Sequence, residues 1–545
     1  MTIKKQSARC LLSAAACAVT VAAMGMLGGV GAPVAHAAGG GIDVNAKGSI
    51  TIHKHAHQAS DASGNKVTGP VDGSGDTMTD PLNNVGFTGY QITSFDLTKS
   101  DSWETLKTFS VPENACDDPA GPQIAGQSFG AAIDFAKTGS DKTLGDGVTK
   151  TDNLAIGAYL ICETSAPTGV IETSAPFVVT VPFPDSAASG AGSAATNNWI
   201  YDVHVYPKNG VAEIDKTVLP QDSLGIGSTA TFPVTTKVPR IAAVDGFKKF
   251  AISDKLESRL AEGAVKSVSY RDASDPDAAS KDALPVDTKY YTVDGPTSDG
   301  TVTVTFTSDG LAWLRTQSGS TIEVMFTAKV TNVGDGSIKN IAILHAGTTD
   351  IDPQVPSPEV SQNWGDVIIK KVDSASKAPL GGAKFEIYEA ADPYPAAGSD
   401  CSHAIAQGAT PIAVSTGASG ATTTTFTTDN AGMVTIPGLF VSDSENGVVD
   451  STFRCYVLKE VAAPLGYVAP QDTTTAVRVQ AGTTATDAVD VTVSNTKSTV
   501  PPLPLTGSNG TILAVVLGVL TLAGAIFLMI WYARRTSQDV KGIRK

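Results

Sequence analysis

Three lysines stand in one local pattern. Ile52, Ile214 and Ile369 each precede by two residues a lysine, Lys54, Lys216 and Lys371, inside a short β-type run. That spacing puts lysine and isoleucine on the same face of a strand. If the face is the core face, the strand buries an amine. An isolated buried ammonium is costly, so its pKa falls and the neutral nucleophile becomes accessible. A partner must then resolve the burial. The plain alternative for each is a solvated strand lysine snorkelling at an edge. Lys370 competes with Lys371 but lies on the other face from Ile369. A fourth lysine is set differently, in Trp199-Ile200-Tyr201-Asp202-Val203-His204-Val205-Tyr206-Pro207-Lys208-Asn209. Val203 and Val205 face the core, and Pro207, with no N–H to give, ends the pairing. Lys208 is therefore expected to be exposed at a strand end between two domains, where the bland reading is an ordinary linker lysine.

The elements that position these lysines repeat. One unit opens with Gly48 to Lys54, continues through Phe87 to Ile92, and reaches Tyr159-Leu160-Ile161-Cys162-Glu163 and Ala166-Pro167-Thr168-Gly169. Another opens with Asp366 to Asp373, continues through Leu380 to Tyr388, and reaches Tyr456-Val457-Leu458-Lys459-Glu460 and Ala463-Pro464-Leu465-Gly466-Tyr467. Each closes on a period-2 strand, marked by Val203 and Val205 or by Val491 and Val493. A third unit between them opens with Ala212 to Lys216, carries strands over 302–307 and 322–330, and ends near 338–344. Strands broken by Gly, Pro, Asp and Asn turns suggest β-sandwiches. Asp350 to Pro358 and Lys497 to Pro502 are expected to be Pro-rich linkers.

Composition agrees. The 545 residues hold 39 Lys+Arg against 54 Asp+Glu, a net charge of −15, which argues against a nucleic-acid partner. A hydrophobic fraction of 42% is enough for real cores, and the length suggests three to four domains. Both ends carry addresses. Lys4, Lys5 and Arg9, an apolar Leu11 to Leu27 and the small-x-small Ala35-His36-Ala37 read as a secretory signal peptide over 1–37. At the other end Leu503-Pro504-Leu505-Thr506-Gly507 precedes the uncharged run 511–532, long enough to span a bilayer, and then Arg534, Arg535, Lys541, Arg544 and Lys545.

The mature chain keeps four cysteines, Cys116, Cys162, Cys401 and Cys455, in an oxidation-permissive setting. Four allow three connectivities. Under the segmentation above, Cys116–Cys162 with Cys401–Cys455 is the pairing that ties no domains together; free buried thiols are the alternative. With no Cys-x-x-Cys spacing, a zinc site is not expected. His53, His55 and His57 alternate opposite Lys54 and are read as a solvated strand face rather than a metal site, as no carboxylate cluster adjoins. No Ser-His-Asp grouping, phosphate loop or paired-carboxylate signature is evident, so no enzyme, cofactor or metal is expected.

The pentapeptide resembles the LPxTG sorting signal of Gram-positive surface proteins, and residues 199–209 match the pilin motif WxxxVxVYPKN at every fixed position. Together with the E-box-like segments, the mature chain resembles the backbone (shaft) pilins of sortase-assembled pili. The resemblance implies an all-β chain of three tandem immunoglobulin-like, CnaB-type sandwiches: 38–209, 210–362 and 363–497, then a linker, sorting signal, span and basic tail over 498–545. It implies that a sortase cysteine cleaves between Thr506 and Gly507, that residues 507–545 are lost, and that the Thr506 carboxyl passes to Lys208 of the next subunit. Expected partners are a pilus-specific class C sortase, a housekeeping sortase, identical subunits, minor tip or base pilins, and peptidoglycan. A wall-anchored adhesin or a minor pilin is the competing reading.

In that family a buried lysine attacks an Asn side chain on the last strand, giving an amide and ammonia. An acid kept protonated by burial polarises the Asn carbonyl and shuttles protons. The matching residues are Lys371, Asn495 and Glu460, the last in a full E-box; Lys216, Asn340 and Asp254; and Lys54, Asn209 and Glu163. The Glu163 segment departs from the E-box, with Ile161 for Leu and Val170 for the final Tyr.

Overall fold

The computed structural model describes residues 41–58, 71–73, 77–184, 199–242, 246–275, 284–396, 400–416, 421–485, 488–498 and 508–539. The expected signal peptide and the Leu503–Gly507 pentapeptide lie outside the described residues. Strands dominate throughout, as the Thr- and Val-rich alternation requires.

In the N-terminal region, strand Gly48–His53 lies between Asp202–Val205, its parallel partner, and Val148–Leu154, its antiparallel one. Ile50, Ile52 and Val203 from this sheet pack on Phe87, Tyr159 and Ile161 from a four-stranded sheet ordered Phe129–Asp134, Gly86–Ile92, Gly157–Ser165, Phe177–Val181. Gly157–Ser165 is buried on both faces. Tyr159 and Ile161 look into that core, while Ala158, Leu160 and Cys162 look out against Phe95, with Leu106 of helix Ser100–Thr108 packed alongside. The period of two thus feeds two cores from one strand.

The central region stacks two five-stranded sheets. One is ordered Ile214–Lys216, Thr229–Lys237, Thr321–Val330, Leu260–Arg271, Leu284–Pro285; the other Tyr291–Asp294, Thr301–Phe306, Lys249–Lys255, Ala342–Gly347, Gln354–Pro356. Ile322, Val324, Phe326, Ala328 and Val330 are all buried on one face of their strand, and Phe250, Val304 and Leu344 meet them from the second sheet. Gln354–Pro356 corrects the expected linker: these residues pair with Ala342–Gly347. Pro356 is tolerated because the strand is an edge, where one side needs no N–H donor.

The C-terminal region is built on the 14-residue strand Val360–Asp373. Its first residues pair with Ser337–Asn340 of the central region, and the rest with Met433–Asp443 and, in parallel, Val491–Lys497. A second sheet, ordered Phe426–Thr427, Lys384–Glu389, Phe453–Ala462, Thr474–Gln480, closes the core over Ile369, Phe385 and Leu458. The two regions therefore share a strand and one continuous core. Ile226 N–H to Gly438 O at 2.8 Å and Phe440 N–H to Leu224 O at 2.8 Å add backbone ties across the junction.

Both disulfides form as expected, Cys116–Cys162 and Cys401–Cys455. They close loops of 46 and 54 residues, each worth about 4 kcal/mol in the chain-entropy account. Each staples the outward face of an inner strand, Gly157–Ser165 or Phe453–Ala462. Beyond the last sheet, Ser508–Asp539 is one helix, and Ala514–Arg535 within it is long and apolar enough to cross a membrane, with a mean hydropathy of 2.5.

Candidate functional site

All three lysines are buried: Lys54 and Lys371 are 0% exposed and Lys216 is 1% exposed. Asp215 and Lys370, their strand neighbours on the opposite face, are not buried. The alternation that placed isoleucine and lysine together therefore points inward in each case.

The N-terminal and C-terminal sites share one geometry. Lys371 Nζ donates to Glu460 Oε2 at 2.7 Å and to Asn495 Oδ1 at 2.5 Å, while Asn495 Nδ2 donates to Glu460 Oε1 at 2.6 Å. Lys54 Nζ donates to Glu163 Oε2 at 2.8 Å and to Asn209 Oδ1 at 2.6 Å, while Asn209 Nδ2 donates to Glu163 Oε1 at 2.6 Å. Each carboxyl group thus bridges amine and amide with its two oxygens, and the amine lies against the amide carbonyl. Lysine and asparagine come from adjacent parallel segments, through register Asp373↔Asn495 in one site and Asn209↔Ala56 in the other. The acid comes from the facing sheet.

The central site is assembled differently. Lys216 Nζ donates to Asp254 Oδ2 at 2.5 Å, and Asn340 Nδ2 donates to the same oxygen at 3.3 Å. Asn340 Oδ1 and Asp254 Oδ1 are buried without a hydrogen-bond partner. Aspartate is one methylene shorter than glutamate, so a single oxygen serves both neighbours. The lysine and the acid sit on opposite sheets of the sandwich.

Burial governs the protonation of these groups. Desolvation lowers the pKa of Lys54 to about 8, against the pull of Glu163, and lowers those of Lys216 and Lys371 as well. Asp254 is raised by burial, opposed by Lys216. Each change favours the neutral form, which for an amine is the nucleophile.

Sequence reasoning missed three participants. Phe87 and Phe385 lie directly across from Glu163 and Glu460 in the strand register, and each amine stands 5.6 Å from the corresponding ring centroid. Their place in the repeated second strand was the available signal. The third is Ser174, whose N–H and Oγ–H both donate to Glu163 Oε2, at 3.1 and 2.7 Å, and whose Oγ accepts from Lys54 at 3.2 Å. It has no counterpart in the repeat. It fixes the carboxylate in the site whose E-box is degenerate. If Lys54 is joined to Asn209, as the family resemblance implies, Ser174→Ala is expected to slow that step about tenfold, the equivalent of losing one charge-assisted hydrogen bond. A mass time course after refolding measures this.

Lys208 corrects an expectation. It is half-buried, and it opens strand Lys208–Val211 rather than standing past a strand end. Pro207 does interrupt pairing, but its carbonyl accepts from His55 N–H at 3.3 Å and pairing resumes at Lys208↔His55. Because neighbours in a strand point to opposite faces, buried Asn209 turns its amide inward and Lys208 turns outward. The histidines correct another. His55 is buried, with Nδ1 at 2.9 Å from Thr79 O; His53 meets His204 at 2.8 Å and stacks on Tyr206; His57 pairs with Glu172 at 3.2 Å. The strand breaks at Lys54, so the three face different neighbours instead of sharing a solvated face.

A Ser-His-Asp grouping absent from the sequence reading exists in space. His345 Nε2 lies 3.0 Å from Ser253 Oγ and His345 Nδ1 lies 3.1 Å from Asp352 Oδ2. Ser253 sits mid-strand between two paired neighbours, so its backbone N–H is committed to the sheet and offers no oxyanion donor. Lys249 also holds Asp352, at 2.6 Å. The group is a polar ladder across adjacent strands.

Comparison with known proteins agrees with this architecture. Residues 45–210 match the family described as Gram-positive pilin subunit D1, N-terminal domain; residues 365–497 match a prealbumin-like fold domain; residues 495–535 match the LPXTG cell wall anchor motif. The chain is 36% identical to the type 2 fimbrial subunit of Actinomyces naeslundii over 95% of this chain and 94% of that one. It is 28% identical to the type 1 fimbrial subunit of Actinomyces viscosus over 93% and 95%. Among solved structures, the full-length major pilin SpaD of Corynebacterium diphtheriae superposes with a TM-score of 0.60 at 26% identity, covering 84% of this chain and 99% of that one. With a cell wall anchor motif, a pilin N-terminal domain and a near full-length match to a fimbrial subunit, the chain belongs to the Gram-positive fimbrial subunits, as a structural, cell-wall-anchored component of the surface pilus.

Proposed function

We propose that this chain is the shaft subunit of a covalent homopolymer. A pilus-specific class C sortase joins the Thr506 carbonyl carbon of one copy to Lys208 Nζ of the next, and a housekeeping sortase transfers the finished polymer to peptidoglycan. Minor tip or base pilins complete the fibre, whose subunits divide as 38–209, 210–362 and 363–497. Each part is locked by an internal amide: Lys54–Asn209, Lys216–Asn340 and Lys371–Asn495.

The shaft reading is supported by the near full-length match to a fimbrial subunit with its pilin N-terminal domain and anchor motif, and the internal amides by Lys371 Nζ lying 2.5 Å from Asn495 Oδ1 while Glu460 holds both partners. In the bond-forming step the neutral amine attacks Asn Cγ. The Nζ–Cγ bond forms and the Cγ–Nδ2 bond breaks. The acid passes a proton from Nζ to the departing nitrogen, which leaves as ammonia. Intact mass of the secreted chain is the test. We expect the calculated mass less one ammonia for each of three bonds. An undiminished mass overturns the internal amides.

A second test uses pH. In Asn209→Ala, Lys54 stays an amine with a pKa of about 8 when folded against 10.5 ordinarily. Between those values the unfolded chain binds more protons, so stability rises with pH, by about 3 kcal/mol in total. An amide nitrogen does not titrate, so the linked wild-type protein lacks that rise. Urea denaturation from pH 7.5 to 11 measures the contrast.

A further inference from the structure

The E-box turn of the C-terminal region carries a feature that its internal bond does not use. Val461 to Gln471 is a run of eleven residues without a charge, in a chain whose net charge is −15. Leu465 at its tip is fully exposed, and Val461 and Val468 beside it are 42% and 57% exposed. Pro464 is buried beneath the tip. Tyr467–Val468 pairs with Thr496 and Lys497, and Ser498 donates through N–H and Oγ to Gly466 O, both at 3.0 Å. The turn is therefore stitched to the last residues before the chain departs for Thr506.

That stitching fixes what lies near the turn in a polymer. Thr506 lies eight residue steps beyond Ser498, a reach of at most about 29 Å. Once Thr506 is joined to Lys208 of another copy, the turn is tethered beside that copy's surface at an effective concentration of about a millimolar or more. A contact too weak to form between free copies then closes. Two surfaces of this acidic chain repel, so the face that meets a second copy is best free of charge. Val461–Gln471 satisfies both conditions, and an exposed leucine flanked by two valines is apolar surface that a partner would cover.

Resting on the shaft reading above, we propose that the uncharged turn Val461–Gln471, with Leu465 at its tip, docks on the next copy of this chain beside its Tyr206–Lys208 segment. The covalent bond supplies the tether and the turn sets the angle between successive subunits.

The test compares sortase-made polymer with monomer by hydrogen exchange, for wild type and for Leu465→Asp. Leu465 touches no core, so the variant folds. In wild-type polymer the 461–471 peptide is expected to exchange at least tenfold more slowly than in monomer. In Leu465→Asp the covalent ladder is expected to form while that protection is lost and filaments bend more in electron micrographs. A ladder whose 461–471 segment exchanges as in monomer overturns the docking alone. Absence of any ladder from the wild-type chain overturns the covalent-shaft reading, and the docking with it.

Discussion

Replacing Lys208 with alanine is expected to abolish the high-mass ladder of wall-extracted pilin, leaving single subunits on the cell wall. The effect is complete rather than graded because the step needs one nucleophile. The three other lysines of the scheme are held inside the protein, 0–1% exposed, where no sortase acyl-enzyme can reach them. Lys208→Arg is expected to fail as fully. Its guanidinium keeps the length and the charge but is always protonated, so it cannot attack a thioester. Since Lys208 and Asn209 point to opposite faces, neither substitution disturbs the Lys54–Asn209 contact. The monomer recovered from either variant should therefore show the same ammonia loss as wild type. A ladder that persists in Lys208→Ala sinks the shaft reading and favours a wall-anchored adhesin or minor pilin.

What the sequence revealed and what it hid follow from range. The three buried lysines were legible because two-residue alternation is local: an isoleucine two positions earlier reports which face a strand turns inward. Asn209, Asn495, Glu163 and Glu460 were singled out through motifs rather than physics, and the fold brings them within hydrogen-bond reach of Lys54 and Lys371. Ser174 was hidden, since it reaches Glu163 from outside the repeated pattern. So was the polar ladder of Ser253 and His345, residues 92 apart that meet only because two strands pair. Lys208 was misjudged in exposure because Pro207 interrupts pairing for a single step and the strand resumes on the same neighbour. The Gln354–Pro356 strand was misjudged because proline density marks linkers and sheet edges alike. The strand shared between central and C-terminal regions could not be foreseen from repeats, which mark where a unit begins and not what it leans on.

Glu460→Ala is expected to have the largest effect on stability. The carboxylate bridges Lys371 and Asn495, so its removal withdraws the proton shuttle and leaves a buried amine with only an amide for company. An unlinked lysine left buried without its carboxylate costs about 3–5 kcal/mol. On the internal-amide proposal, the missing Lys371–Asn495 bond adds a second loss. The crosslink spans 124 residues, and closing such a loop restrains the unfolded chain by about 5 kcal/mol on the reasoning used for disulfides. The C-terminal region should then melt roughly 15 °C or more below wild type, and the mass should rise by one ammonia. Glu460→Gln separates the two contributions: it keeps the shape and hydrogen-bonding capacity of the bridge and loses the acid. If it lacks the amide yet melts well above Glu460→Ala, packing and pairing account for part of the stability and the crosslink for the rest. The Cys401–Cys455 disulfide lies on the other face of the same strand and stays in place in both variants. Melting under reducing and oxidising conditions then shows whether the outer staple and the inner amide reinforce each other. They constrain overlapping loops of one unfolded chain, so each partly stands in for the other, and the loss on removing both is expected to exceed the sum of the losses on removing either alone.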